Sequence, residues 1–129
     1  MLPRELFRDS ELMCHCGCGL LPEQHSVERL YLLRFKLDEV MQVSSAARCR
    51  KHNKAAGGKS GSIHLPPDLR SGDSLSWGGQ GWDILGDKSK QLRIIKVALQ
   101  CGYRGFGFAK TFIHIDDAKR PDPIYWTYP

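Results

Sequence analysis

The chain has 129 residues, 41% hydrophobic and 26% charged, with a net charge of +5 and a pI near 9.1. That is the size and balance of one globular domain with a single core, expected to span 1–129. No run approaches the roughly 18 apolar residues of a membrane span, and the opening "MLPRELFRDSELM" interleaves charge with apolar residues, unlike a signal peptide.

Residues 1–25 carry Pro, Gly and Cys and read as an ordered N-terminal loop region. Three cysteines are crowded into "CHCGCG" (Cys14, Cys16, Cys18), while Cys49 and Cys101 stand alone. The odd count of five argues against a secreted disulfide framework. The C-x-C-x-C spacing is tighter than structural zinc sites prefer, and no second pair is evident. One disulfide, with Cys49 as a partner, or free thiols are expected before a metal site.

"SVERLYLLRFKLDEVM" (26–41) predicts an amphipathic helix, with Val27, Leu30, Leu33, Leu37, Val40 and Met41 at helical spacing and Ser26 as N-cap. "MQVSS" reads as a short strand. "RKHNKAAGG" reads as a short helix ended by Gly57 and Gly58. Residues 65–80 show no periodicity, and so long a structureless stretch points to a functional loop or to disorder. "GWDIL" is a short buried strand. "SKQLRIIKVALQCG" (89–102) predicts a second amphipathic helix with Leu92, Ile95 and Leu99 on one face. "GFGFAKTFIHIDD" offers two strands and "IYWTY" (124–128) a last one. The mixture is an α+β pattern.

Basic residues are spread along the chain apart from "RCRKHNK" at 48–54. Mild positive charge favours an anionic partner, but no nucleic-acid partner is expected from so dispersed a distribution. On the "FIHID" strand, alternation places Phe112, His114 and Asp116 on one face and Ile113 and Ile115 on the other. The polar face points either to solvent or into a cleft. A hydrolytic zinc needs three protein ligands and an open position, and the chain offers His15, His25, His52, His64 and His114. Spacing alone selects no triad among them.

The order "VSSAARCRKHNKAAGGKSGSIH", "GQGWDI" and "FIHID" resembles the zinc D-alanyl-D-alanine carboxypeptidase family, which also includes phage endolysins. Its short branch carries S-G-x-R-C-x-x-H-N, then G-G and S-x-H-x-x-G-x-A-x-D-I, and later F-x-H-x-D. Here these are Ser45 to Cys49 with Ala46 in place of the glycine, His52-Asn53, Gly57-Gly58, Ser62 to His64, Gly79 to Ile84, and Phe112 to Asp116. "ELMCHCGCG" is similar to the family's cysteine-glycine start, and Trp126 to its late tryptophan.

The resemblance implies one Zn2+ bound by His64, Asp83 and His114, with Arg48 near the substrate carbonyl or carboxylate. It implies a small α+β fold of the LAS and Hedgehog type, with an antiparallel sheet packed on helices and the zinc in a cleft across it. The implied activity is hydrolysis of peptidoglycan stem-peptide bonds, in a monomer of the phage lysis type. Such a protein would be made in the cytoplasm and act at the cell wall on release. A non-catalytic wall-binding or phage structural protein of the same fold is the alternative. A basic nucleic-acid-binding zinc module built on "CHCGC" is a third reading.

Three departures from the family stand out. His64 and Asp83 lie nineteen apart (83 − 64), against seven in the family, so 65–80 reads as an insertion, a lid or substrate-selecting loop. Asp68 or Asp73 could replace Asp83, but "GQGWDI" keeps the family's shape. Trp77 either packs on substrate or tucks onto the domain surface. The family's acidic base three residues before the last His is Thr111 here, leaving Asp116 as the expected proton acceptor or as an orienting partner of a ligand. The Arg that often follows H-x-D has no clear counterpart in "DDAKRP".

Overall fold

A computed structural model describes residues 6–129. Positions 1–5 of the expected N-terminal segment lie outside the described residues. The elements, in chain order, are α1 (Asp9–Leu12), α2 (Gln24–Leu37), β1 (Val43–Ser45), α3 (Arg50–Ala55), two short 3-10 turns at Pro67–Leu69 and Gly72–Ser76, β2 (Gly81–Leu85), α4 (Lys88–Gln100), β3 (Gly105–Phe108), β4 (Phe112–Asp116) and β5 (Ile124–Thr127). The α+β expectation matches this architecture. Among the described residues no helix is long and apolar enough to cross a membrane.

The five strands form one sheet in the order β1-β2-β4-β3-β5. The sheet is mixed, which corrects the antiparallel expectation: β3 and β5 run parallel. The cause is the link at 117–123. It steps from the end of β4 across the start of β3, so β5 sets out from the end of the sheet where β4 stopped. Arg104 pins this crossing, its guanidinium donating to the carbonyls of Arg120 (3.1 Å) and Pro121 (3.1 Å).

One face of the sheet carries Trp82, Ile84, Ile113, Ile115 and Phe106, buried against Leu30 and Leu33 of α2 and Ile94 and Ala98 of α4. The predicted helix ends need correction. α2 starts at Gln24 and stops at Leu37, where Asp38 takes a left-handed conformation (φ 54°). Ser26 is therefore inside the helix, and its hydroxyl donates to the Asp117 carboxylate (3.0 Å). In α4 the buried residues are Gln91, Ile94 and Ala98, whereas Leu92 and Leu99 are exposed. Gln91 takes the inner face because its amide donates to the carbonyls of Gly86 and Ala109, both at 3.0 Å.

The stretch expected to be structureless is ordered, and Arg70 explains why. This arginine is buried, and its guanidinium donates to five carbonyls: Leu65 (2.9 Å), Ser74 (3.3 Å), Gly78 (2.6 Å), Ile63 (3.2 Å) and Gly79 (2.7 Å). Burial lowers its pKa only to about 10, so the charge that strengthens these bonds persists at neutral pH. The segment is a strap tied from inside. Arg70→Ala removes all five donors and is expected to cost about 3 kcal/mol or more. Limited proteolysis should then cut within 65–80 well before the wild type is cut there; equal resistance would show that something else orders the strap.

Candidate metal centre

Strand register lines up the chemistry. Ser45, Asp83, His114, Gly107 and Trp126 form one row across the sheet, and Gly81, Asp116, Gly105 and Ile124 the next. Period-two alternation puts both rows on the face opposite the apolar core. The two glycines of "GFGF" are there for space. A Cβ at Gly105 would lie 2.4 Å from Asp116 Oδ2, and one at Gly107 would lie 2.5 Å from Trp126 Nε1. His64 comes from the loop before the strap, held where Arg48 N–H donates to the His64 carbonyl (2.8 Å) and Gly81 N–H to that of Ile63 (3.0 Å).

These elements bring His64, Asp83 and His114 together. Asp83 Oδ1 is 3.1 Å from His64 Nε2 and 3.1 Å from His114 Nδ1, and the two ring nitrogens are 3.3 Å apart. All three residues are buried. The far side of each ring is anchored. His64 Nδ1 lies 2.7 Å from the Ala46 carbonyl, and His114 Nε2 lies 2.8 Å from Asp116 Oδ2. Asp116 is fully buried and in turn accepts from Arg120 Nε (3.1 Å) and Nη2 (2.8 Å).

Protonation follows from these partners. A carbonyl only accepts, so His64 carries its proton on Nδ1 and turns the Nε2 lone pair toward Asp83. Burial pushes the His64 pKa below its usual 6.5. Burial alone would also lower His114, but its bonds to Asp116 and Asp83 outweigh that and raise it to about 9. Burial opposes the Asp83 charge, yet His64 and His114 hold its carboxyl well below the usual range. Asp116 is likewise opposed by burial and brought down to about 2 by His114 and Arg120.

The donor set fits a divalent cation. With His64 neutral, its Nε2 and Asp83 Oδ1 are two acceptors face to face, and the proton on His114 Nδ1 is the one positive group between them. Tetrahedral N and O ligands about 2.0–2.1 Å from zinc lie about 3.3 Å from one another, close to the three separations here. Each imidazole also has the outer partner that fixes its ring and tautomer in metal sites.

The triad sits in a cleft of about 1150 Å³ whose walls include Arg48, Asp73, Trp77, Arg120, Trp126 and Tyr128. Arg48 Nη2 is 3.6 Å from Asp83 Oδ2, and the guanidinium also donates to Ser45 Oγ (3.0 Å) and Asn53 Oδ1 (3.2 Å). The model of the family described as peptidase M15 matches residues 5–116, nearly the whole chain.

The chain belongs to the peptidase M15 family.

That membership places it among zinc metallopeptidases. No curated protein and no solved structure matches the chain. Within this peptidase, the structure brings the three expected ligands and Arg48 to one place. Asp68 and Asp73 are exposed on the strap, and neither belongs to the cluster. Asp116 does not reach the open side as a proton acceptor must. It lies behind His114 with both oxygens engaged. In the stretch "DDAKRP", Arg120 faces the cleft, its guanidinium carbon 5.1 Å from the Trp77 ring and 5.4 Å from that of Trp126. Trp77 thus holds Arg120 at the cleft wall and is only partly exposed. The alternating glycines of "GFGF" were the signal for this crowded face.

Gly81 supplies a test of how tightly the rings are held. A Cβ there would lie 2.7 Å from His114 Cε1. Gly81→Ala is expected to displace the ring and weaken zinc binding about 10–100-fold, the range seen when ring-orienting contacts are lost. The readout is the free zinc that restores half of the activity after chelation. An unchanged value would mean the ring is free to adjust.

Proposed function

We propose that this peptidase hydrolyses peptide bonds in peptidoglycan stem peptides, using one zinc ion held by His64 Nε2, Asp83 Oδ1 and His114 Nδ1. The observation that carries the reading is the convergence of those three atoms at 3.1–3.3 Å on the floor of a cleft, each ring braced from behind. Zinc in such a setting supplies Lewis acidity and lowers the pKa of water toward about 7.

The chain's own groups do the rest. Arg48 faces the cleft beside Asp83 and binds the substrate's carbonyl or carboxylate oxygen, a charge that strengthens toward the transition state. Ala46 and Asp116 keep the two imidazoles in one tautomer and orientation. Asp116 is a positioning residue. Both of its oxygens are engaged, by His114 and Arg120, so it is not free to take a proton from water on the open side. Trp77, Trp126 and Tyr128 form an aromatic rim that limits water around an extended peptide. The positive charge of +5 suits an anionic wall.

The test is digestion of purified peptidoglycan followed by mass spectrometry of the soluble products. Release of D-alanine indicates carboxypeptidase cleavage, and release of longer peptides indicates endopeptidase cleavage. Bound zinc with no new products would leave a wall-binding protein of the same fold.

A further inference from the structure

The catalytic reading uses none of the five cysteines, and four of them converge. Cys14, Cys16, Cys18 and Cys49 place their sulfurs all within 4.8 Å of one another, and none is in a disulfide. Three of the separations are 3.4 Å (Cys14 to Cys16), 3.7 Å (Cys16 to Cys49) and 3.9 Å (Cys14 to Cys49). Tetrahedral thiolates about 2.3 Å from zinc lie about 3.8 Å apart. Bonded sulfurs would lie at about 2.05 Å.

The tight C-x-C-x-C spacing and the lack of a second pair argued against a metal on sequence grounds. In an extended chain, alternate residues stand about 6.5–7 Å apart. The turn removes that objection. Gly17 and Gly19 both adopt left-handed backbone (φ +83° and +84°), and Cys14 N–H donates to the Leu20 carbonyl (2.9 Å). The run folds back on itself and gathers three sulfurs. The missing fourth ligand comes from Cys49, next to Arg48 at the start of α3. Backbone amides already address these sulfurs: Cys49 N–H donates to Cys14 Sγ (3.5 Å), and His52 N–H to Cys49 Sγ (3.4 Å).

We propose that Cys14, Cys16, Cys18 and Cys49 form a second metal site that binds a structural zinc ion and staples the N-terminal segment to the β1–α3 junction. Four thiolates close the coordination sphere, so this site has no open position for substrate or water. Four thiolates on one Zn2+ leave a net negative charge, and the basic residues Arg50, Lys51 and Lys54 follow Cys49 directly in the sequence. The staple ties down the residue beside Arg48, whose guanidinium faces the catalytic cleft. The site stands whether or not the peptidase reading holds, since it shares no ligand with His64, Asp83 and His114.

The experiment is elemental analysis of the full chain, reconstituted with zinc under reducing conditions and freed of unbound metal, for the wild type, His64→Ala and Cys16→Ser/Cys18→Ser. The expected contents are two, one and one zinc ions per chain. Cobalt-loaded His64→Ala should show a thiolate-to-cobalt charge-transfer band, a signature that nitrogen and oxygen ligands do not produce. This variant keeps all four cysteines, so the answer does not depend on the double serine variant folding. A zinc content of one in both wild type and His64→Ala, with the band present, would support the cysteine site and remove the histidine one. One zinc in the wild type and none in His64→Ala would overturn the proposal. So would iron in place of zinc, or an intact mass showing the cysteines paired as disulfides.

Discussion

Replacing His64 by alanine is expected to abolish stem-peptide hydrolysis while leaving the fold in place. The substitution removes one of three convergent donor atoms, leaving Asp83 and His114 alone at the cleft floor. A metal held by two ligands exchanges readily, and loss of the bound ion removes several kcal/mol of transition-state stabilisation, about three to four orders of magnitude in rate. The fold survives because His64 sits in a loop and its main tie, Nδ1 to the Ala46 carbonyl, is one hydrogen bond. The sheet register through Asp83 and His114 does not pass through it. Steady-state rates on a synthetic stem peptide, beside circular dichroism of the variant, check both halves. Retained turnover would place the reaction elsewhere.

Asp116→Asn is the second large effect, and it acts through a different balance. Asp116 is the fully buried anion between two cations, His114 and Arg120. Asparagine keeps the shape and removes the charge, leaving Arg120 buried without its counter-ion. Breaking a buried pair from one side costs about 3–5 kcal/mol, and the stacking of Arg120 between Trp77 and Trp126 offsets only part of it. The same change removes the largest of the interactions that raise His114, so its pKa falls from about 9 toward the ordinary 6.5.

The pH consequence has a definite sign in the metal-free protein. A histidine raised on folding stabilises fully below its unfolded pKa and loses that contribution as pH rises through its folded one. For His114 the loss runs from about 6.5 to about 9. Asp116, lowered to about 2, contributes above its unfolded 3.8 and loses this as pH falls through about 2. His64, held neutral by burial, has its own loss below 6.5. Chemical denaturation of chelator-treated protein should therefore show falling stability from pH 6.5 to 9, with a shallower fall in Asp116→Asn. Histidine carbon resonances followed across that range would give the His114 titration directly. Equal slopes in the two proteins would mean that Asp116 does not control this ring.

The elements most legible in the sequence were those whose local pattern and tertiary role agree. "GWDIL" and "FIHID" are strands because their apolar residues face the core, and the alternation also puts Asp83, His114 and Asp116 on the other face. The α4 face was read wrongly because periodicity rewards Leu92 and Leu99, while burial is decided by what Gln91 can hydrogen-bond. The β5 pairing could not be read, since the link at 117–123 says nothing about which edge it reaches. At the site, the three expected ligands were named from motif order, and the nineteen-residue interval between His64 and Asp83 did not prevent their meeting. Arg70 explains this: it ties the strap at 65–80 internally and leaves both ends near β2. Arg120 was illegible, and of the cysteine cluster only the pairing of Cys49 with the run was foreseen, as a disulfide or free thiols ahead of a metal site. Each depends on side chains that meet only after the sheet crossing or the glycine turn has formed.

The most direct measurement is recovery of stem-peptide hydrolysis as zinc is returned to chelator-treated protein, wild type beside His64→Ala. The wild type should fall to background on chelation and regain its rate as zinc is added, while the variant stays at background throughout. Full turnover in the chelated wild type, or equal recovery in the variant, would contradict a peptidase built on His64, Asp83 and His114.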